Sequence, residues 1–180
     1  MEKQYRLGVI AGNFQVLHLG HQQLINKALS LCNMVCILVF NDGEKRTRTS
    51  PFSFKEIEKR IRRIYGKSLK IISVEVSKRT ENIRLNETVF HLIEKEIGSY
   101  PDVIFSVKEQ RKDSWMSDFP ITEIYIPKTI NISSSTLKYL LYRDNKAKWK
   151  EYIDERFWRD YKHMKKIVQM SWSVVDKNKA

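Results

Sequence analysis

Residues 5–32 read YRLGVIAGNFQVLHLGHQQLINKALSLC, and this stretch decides the fold. Leu7 to Ala11 is a short apolar run of the kind that makes a buried strand. Leu24, Ile25, Ala28, Leu29 and Cys32 then recur at helix spacing. Between the two lies a turn, Gly12 to His21, with glycines at its tight points and both His18 and His21 at the entry to the helix. A helix start leaves backbone N–H groups unpartnered and so favours an anion. Two imidazoles beside such a start point to phosphate chemistry.

The same alternation continues along the chain. Met34 to Phe40 reads as a second buried strand, closed by the turn signal Asn41-Asp42-Gly43. After a polar, basic loop, Ser53 and Glu56 carry a capping-box signature. The helix they open has the stripe Ile57, Ile61, Ile64 and Tyr65, and Gly66 stops it. Leu69 to Val76 is a third strand, Ser77 to Asn82 a polar linker, and Asn86 to Ile97 a helix ended by Gly98. Val103 to Val107 and Ile121 to Ile126 complete the strands, with Lys108 to Phe119 between them as a short helix or ordered loop.

Strands alternating with helices predict an α/β fold: a doubly wound, parallel five-stranded sheet of Rossmann-like form, followed by C-terminal helices. Ligands are then expected beyond the carboxyl ends of the strands. The expected organisation is a core over 1–145, a helical extension packed on it over 146–175, and a frayed tail over 176–180. The extension is helical in pattern from Lys148 to Trp172 and rich in aromatics, with Trp149, Tyr152, Phe157, Trp158 and Tyr161.

Composition narrows the class of partner. With 33 Lys and Arg against 21 acids, the net charge of +12 favours anionic ligands without separating nucleotides from nucleic acid. No stretch reaches the ~20 apolar residues of a membrane span, and the N-terminus has no secretory pattern. Cys32 and Cys36 lie among apolar residues and read as reduced core thiols, which points to the cytoplasm.

In-line displacement at phosphorus needs donors placed where charge builds on the transferring group. His18 and His21 suit that role. Ser133, Ser134 and Ser135, before an apolar-periodic helix, offer hydroxyls and an N-cap together, with Lys138 one turn further in. A zinc site is not expected, because no Cys or carboxylate stands at ligand spacing to the histidines.

These two segments carry a resemblance. Gly12-x-Phe14-x-x-x-His18-x-Gly20-His21 resembles the G-x-F-x-x-x-H-x-G-H signature of the HxGH nucleotidylyltransferase superfamily. Ile132 to Lys138 is similar to its I-S-S-T-x-[IL]-R motif, with Lys138 in place of Arg. Arg48-Thr-Ser-Pro51-Phe52-Ser53 and the tract from Ala147 to Ile153 are similar to segments of nicotinamide mononucleotide (NMN) adenylyltransferases. The nearest type joins the adenylyltransferase to a ribosylnicotinamide kinase, and this sequence has no kinase P-loop. Asn13 and Val16 depart from that type, which has Arg or Lys and Pro there. The first motif also resembles bacterial FAD synthetases.

The resemblance implies transfer of AMP from ATP to the phosphate of NMN, giving NAD and pyrophosphate, with Mg²⁺ carried by ATP. His18, His21 and Lys138 are then the catalytic candidates, and Gly12, Asn13, Phe14, Gly20, Ser133, Ser134 and Ser135 the ATP-binding ones. On the acceptor side the candidates are Asp42, Arg46, Arg48, Ser106, Arg111 and Trp115. Lys128 is a further phosphate contact, and Trp115 a candidate to stack on a pyridinium ring. Homo-oligomerisation stays open. The alternatives are an adenylyl- or cytidylyltransferase for another phosphorylated acceptor, FMN first, or a non-catalytic nucleic-acid-binding protein on the same fold. No oligonucleotide-binding motif supports the last.

Overall fold

The computed structural model describes residues 3–43, 46–75, 82–107 and 121–177. Its strands are β1 (Tyr5–Gly12), β2 (Cys32–Asn41), β3 (Lys70–Glu75), β4 (Val103–Ser106) and β5 (Thr122–Tyr125). The helices are α1 (Leu19–Leu31), α2 (Phe54–Tyr65), α3 (Asn82–Ile97), α4 (Ser134–Tyr142), α5 (Lys146–Lys150) and α6 (Tyr161–Lys177), with a 3-10 helix over Glu155–Asp160. The strands form one sheet in the order β3-β2-β1-β4-β5, and every pairing is parallel. This is the doubly wound architecture read from the sequence.

Period-two alternation buries both faces of the sheet. Ile10 of β1 and Val35, Ile37 and Val39 of β2 pack with Leu24, Ile25 and Ala28 of α1, Ile57 and Ile61 of α2, and Leu137 and Leu141 of α4. On the other face Leu7, Val9, Cys36 and Leu38 meet Val89, Phe90 and Ile93 of α3. The chain reverses its winding at β1, which pairs with β2 on one side and β4 on the other. Loops leaving β1 and β4 therefore diverge and open a crevice at the carboxyl edge.

Local signals hold where they are strong. Ser53 and Glu56 make the reciprocal capping box, and Gly66 ends α2 at φ 55°. Cys32 and Cys36 are free and buried, and burial pushes their thiols up to about 11 and about 12. Differences appear where signals are weak. Helix α3 begins at Asn82, a turn ahead of the apolar periodicity. The segment 108–119 lies outside the described residues. Asp176 and Lys177, read as tail, still belong to α6.

The C-terminal tract is not one helix. It breaks after α5 and resumes through the 3-10 helix, where the Asp154 side chain accepts from the Arg156 N–H at 3.0 Å. Neither glycine nor proline marks that break. Trp149, Ile153, Phe157, Tyr161, Met164 and Val168 are buried in the same core as α1 and α4. No described helix is long and apolar enough to cross a membrane.

Gly8 sets the closest packing in the sheet. A Cβ there would stand 2.5 Å from Cys32 Sγ and 2.8 Å from Phe105 Cε2. Gly8→Ala should therefore cost about 1–3 kcal/mol in urea unfolding, and adding Cys32→Ala should recover part of the loss. An unchanged midpoint for the single variant would show that β1 is not packed this tightly.

Candidate active site

The turn between β1 and α1 is held in one unusual conformation. Phe14 sits at φ 45°, in the left-handed region a bulky residue rarely adopts. Its ring tilts against His21 with centroids 4.7 Å apart, and His21 stacks on His18 at 3.7 Å. Gly20 leaves room for this stack, because a Cβ there would lie 3.1 Å from His18 Nδ1 and press on the ring.

His18 is also the N-cap of α1. Its Nδ1 accepts from the His21 backbone N–H at 3.2 Å. That bond assigns the neutral ring its proton on Nε2, leaving Nε2–H as a donor. Burial, reinforced by Lys128, lowers the His18 pKa to about 4. Burial and then His18 hold His21 well below the ordinary value, with the Val16 backbone pulling the other way. The buried Nδ1 of His21 has no hydrogen bond of good geometry. Both rings are thus neutral at pH 7, not cations.

A cleft of about 190 Å³ opens beside them. His18, Gly20 and His21 line it from α1, Ser133 and Ser134 from α4, and Lys128 from the segment after β5. Apart from Gln23, its remaining wall is apolar, built by Leu24, Val107, Ile126, Pro127, Ile130 and Ile132. Such a wall suits a flat base, and the polar end suits its phosphates.

Both helix starts face this cleft. At α1 the N–H of Leu19 is taken by the Tyr152 carbonyl at 2.9 Å, and that of Gln22 by the His18 carbonyl. The N–H of Gly20 has no such partner among the described residues. At α4 the Ser133 hydroxyl accepts from the Thr136 N–H at 3.1 Å, and the Ser133 carbonyl takes the Leu137 N–H. The Ser134 hydroxyl donates to the Val16 carbonyl at 3.3 Å and stitches the two helix starts together.

Other expected site residues lie elsewhere. Ser135 is exposed and is not part of the cleft wall, and neither are Gly12, Asn13 and Ser106. Lys138 is buried and turned away, its Nζ donating to the Thr49 carbonyl. Burial lowers its pKa, and Asp42 opposes that shift. Asp42 accepts from the Thr47 hydroxyl at 3.3 Å. Arg46 pairs with Glu56 at 3.1 Å and donates to the Pro51 carbonyl. The Arg48 guanidinium stacks 4.4 Å above the Trp172 ring. These residues order the loop after β2 instead of lining the cleft. Arg111 and Trp115 lie outside the described residues.

Sequence reasoning missed two supports. Gln15, 1% exposed, donates to the Phe52 carbonyl and accepts from the Phe52 N–H at 2.9 Å, locking the turn to the loop after β2. A polar residue inside a motif of apolar neighbours was its one signal. The Tyr152 carbonyl has none, because a backbone group leaves no mark in the sequence.

The family model described as cytidylyltransferase-like matches residues 9–140. No curated protein sequence matches the chain. Among solved structures, the chain is similar to a bifunctional NMN adenylyltransferase/ADP ribose pyrophosphatase from Francisella tularensis. That likeness has a TM-score of 0.78 at 16% identity and covers 97% of this chain and 55% of the other. The chain thus spans about half of that protein's length. It is also similar to the Plasmodium falciparum nicotinic acid mononucleotide adenylyltransferase complexed with NaAD, with TM-score 0.54, 17% identity, and 89% and 94% coverage. A third likeness is to a Vibrio parahaemolyticus protein described as a nicotinate-nucleotide adenylyltransferase, with TM-score 0.58, 10% identity, and 89% and 99% coverage. At these identities the likeness shows the fold alone.

The depressed histidines make stability pH-dependent. A His whose folded pKa lies below its unfolded value stabilises the fold above about pH 6.5, and the effect is lost as pH falls towards about 4. Unfolding free energy should drop by about 1–3 kcal/mol across that window. His18→Asn, which keeps an N-cap acceptor, should flatten the profile relative to wild type. Parallel profiles would contradict the burial assigned to His18.

Proposed function

The chain belongs to the cytidylyltransferase-like family, and from that membership we propose that it is an adenylyltransferase joining AMP from ATP to NMN. One observation carries the reading: the starts of α1 and α4, with His18 and His21 between them, face a single cleft. The names of the fold relatives favour a pyridine mononucleotide as acceptor.

In this reading the triphosphate lies across the two helix starts and the base against the apolar wall. A phosphate oxygen of NMN attacks the α-phosphorus of ATP, forming a new P–O bond. The bond from the α-phosphorus to the bridging oxygen breaks, and both its electrons leave with pyrophosphate. The attacking phosphate is already an anion, so the step needs neither a base nor a covalent enzyme intermediate. The Nε2–H of His18, the His21 ring and the N–H groups of Gly20 and Ser134 meet the charge that builds on the transferring phosphates. Lys128 supplies the cation at the cleft. Lys138 holds the loop after β2 through Thr49.

Among the described residues no group of three or more His, Cys, Asp or Glu is placed to hold a metal. Mg²⁺ would enter as part of the nucleotide substrate and supply positive charge against its phosphates. The buried free thiols fit a reducing cytoplasm.

The test is pyrophosphate release from ATP or CTP against NMN, nicotinate mononucleotide, FMN, phosphopantetheine and glycerol phosphate. ATP with NMN should give the highest kcat/KM. His21→Ala should lower kcat by roughly 10²–10³ with a smaller change in KM. Release with another pair alone would move the acceptor assignment, and release with none would overturn the reading.

A further inference from the structure

A second polar cavity, of about 130 Å³, lies between α2 and the C-terminal tract, apart from the cleft. Its wall is made by Glu56, Lys59, Arg60, Arg63, Asp160 and His163. Arg60 is the unusual member. It is 7% exposed, and its guanidinium lies 4.2 Å above the Phe52 ring. Its Nη1 is buried and has no hydrogen-bond partner among the described residues.

The two carboxylates of this wall are already engaged. Glu56 accepts from the Ser53 N–H at 2.8 Å and the Ser53 hydroxyl at 2.9 Å, and pairs with Arg46 at 3.1 Å. Burial alone would raise its pKa, but these bonds outweigh burial and hold it below the ordinary value. Asp160 pairs with Arg63 at 2.6 Å. The His163 ring stands 3.9 Å from the Glu56 carboxylate. Among the described residues neither Arg60 nor Lys59 forms an ion pair of its own. Burial pushes the Arg60 pKa down to about 10, while the Glu56 and Asp160 carboxylates work against that shift without removing it. An anion entering the cavity would offset part of the remaining cost.

We infer that this cavity is a second anion site, in which Arg60 and Lys59 bind one small tetrahedral oxyanion of the phosphate class. The volume, about 130 Å³, admits several waters and so a single oxyanion. The site touches the catalytic turn through one residue. Phe52 offers its ring to Arg60 and its backbone to Gln15, which follows Phe14 in the turn. Free phosphate and the terminal phosphate of an ester share this chemistry, and the free ion is the smaller of the two.

The test follows the Arg side-chain Nε–H signals of ¹⁵N-labelled protein during titration with inorganic phosphate, with AMP as the esterified probe and chloride as the ionic-strength control. The Arg60 signal should shift saturably with phosphate, unaffected by chloride, and much less with AMP. In thermal melts phosphate at ten times its dissociation constant should raise Tm by roughly 3–6 °C. The catalytic cleft also binds anions, so the variants separate the two sites. His21→Ala should keep the Arg60 shift. Arg60→Met, similar in volume, should be as stable as wild type or more so without phosphate and should lose the Arg60-linked part of the Tm rise. If Arg60→Met unfolds, the side-chain titration of Lys59→Met gives the same reading through a weakened Arg60 shift. No movement of the Arg60 signal with phosphate, or an equal shift with chloride, would overturn the inference.

Discussion

Two helix starts pressed towards one cleft form the constraint on which this molecule depends. Each start carries roughly half a positive charge, so α1 and α4 repel one another where they meet. The sheet brings them together because its winding reverses at β1. A few bonds then hold them: the Ser134 hydroxyl on the Val16 carbonyl, and the Leu19 N–H on the Tyr152 carbonyl. Burial, helped by Lys128 at both rings and by His18 at His21, keeps the two histidines neutral there.

The charge at the two helix starts explains why the site has so few charged side chains. The chain carries +12, yet among the described residues the cleft wall displays one ammonium, Lys128. Much of the remaining basic charge works elsewhere. Arg46, Arg63 and Arg156 pair with carboxylates, Arg48 stacks on Trp172, and Lys138 is bound to a carbonyl. These contacts fasten the loop after β2 and the C-terminal tract to the core. Net charge is therefore a poor guide to where the anion binds in this fold.

Legibility in the sequence follows the range of the interaction. Strands buried on both faces, the Ser53–Glu56 box and the stop at Gly66 are local, and each left a pattern a few residues long. The turn from Gly12 to His21 was legible because its tight geometry demands particular residues at fixed spacing. Gln15 bonding to Phe52, 37 residues away, was not, and neither was the reach of Arg48 to Trp172. Lys138 shows the limit most clearly. Its place one turn into α4 predicted a phosphate contact, but side-chain direction on that helix carries it to Thr49. The family motif gave the chemistry, and the departures from it at Asn13 and Val16 left the acceptor to be settled by turnover.

If α1 and α4 together cradle the phosphates of one nucleotide, a crystal structure with a non-hydrolysable ATP analogue should show that arrangement directly. Phosphate oxygens should lie within hydrogen-bond distance of His18 Nε2 and of the backbone N–H groups of Gly20 and Ser134, with adenine against Val107, Ile126 and Ile132. A nucleotide whose phosphates touch neither helix start would contradict it.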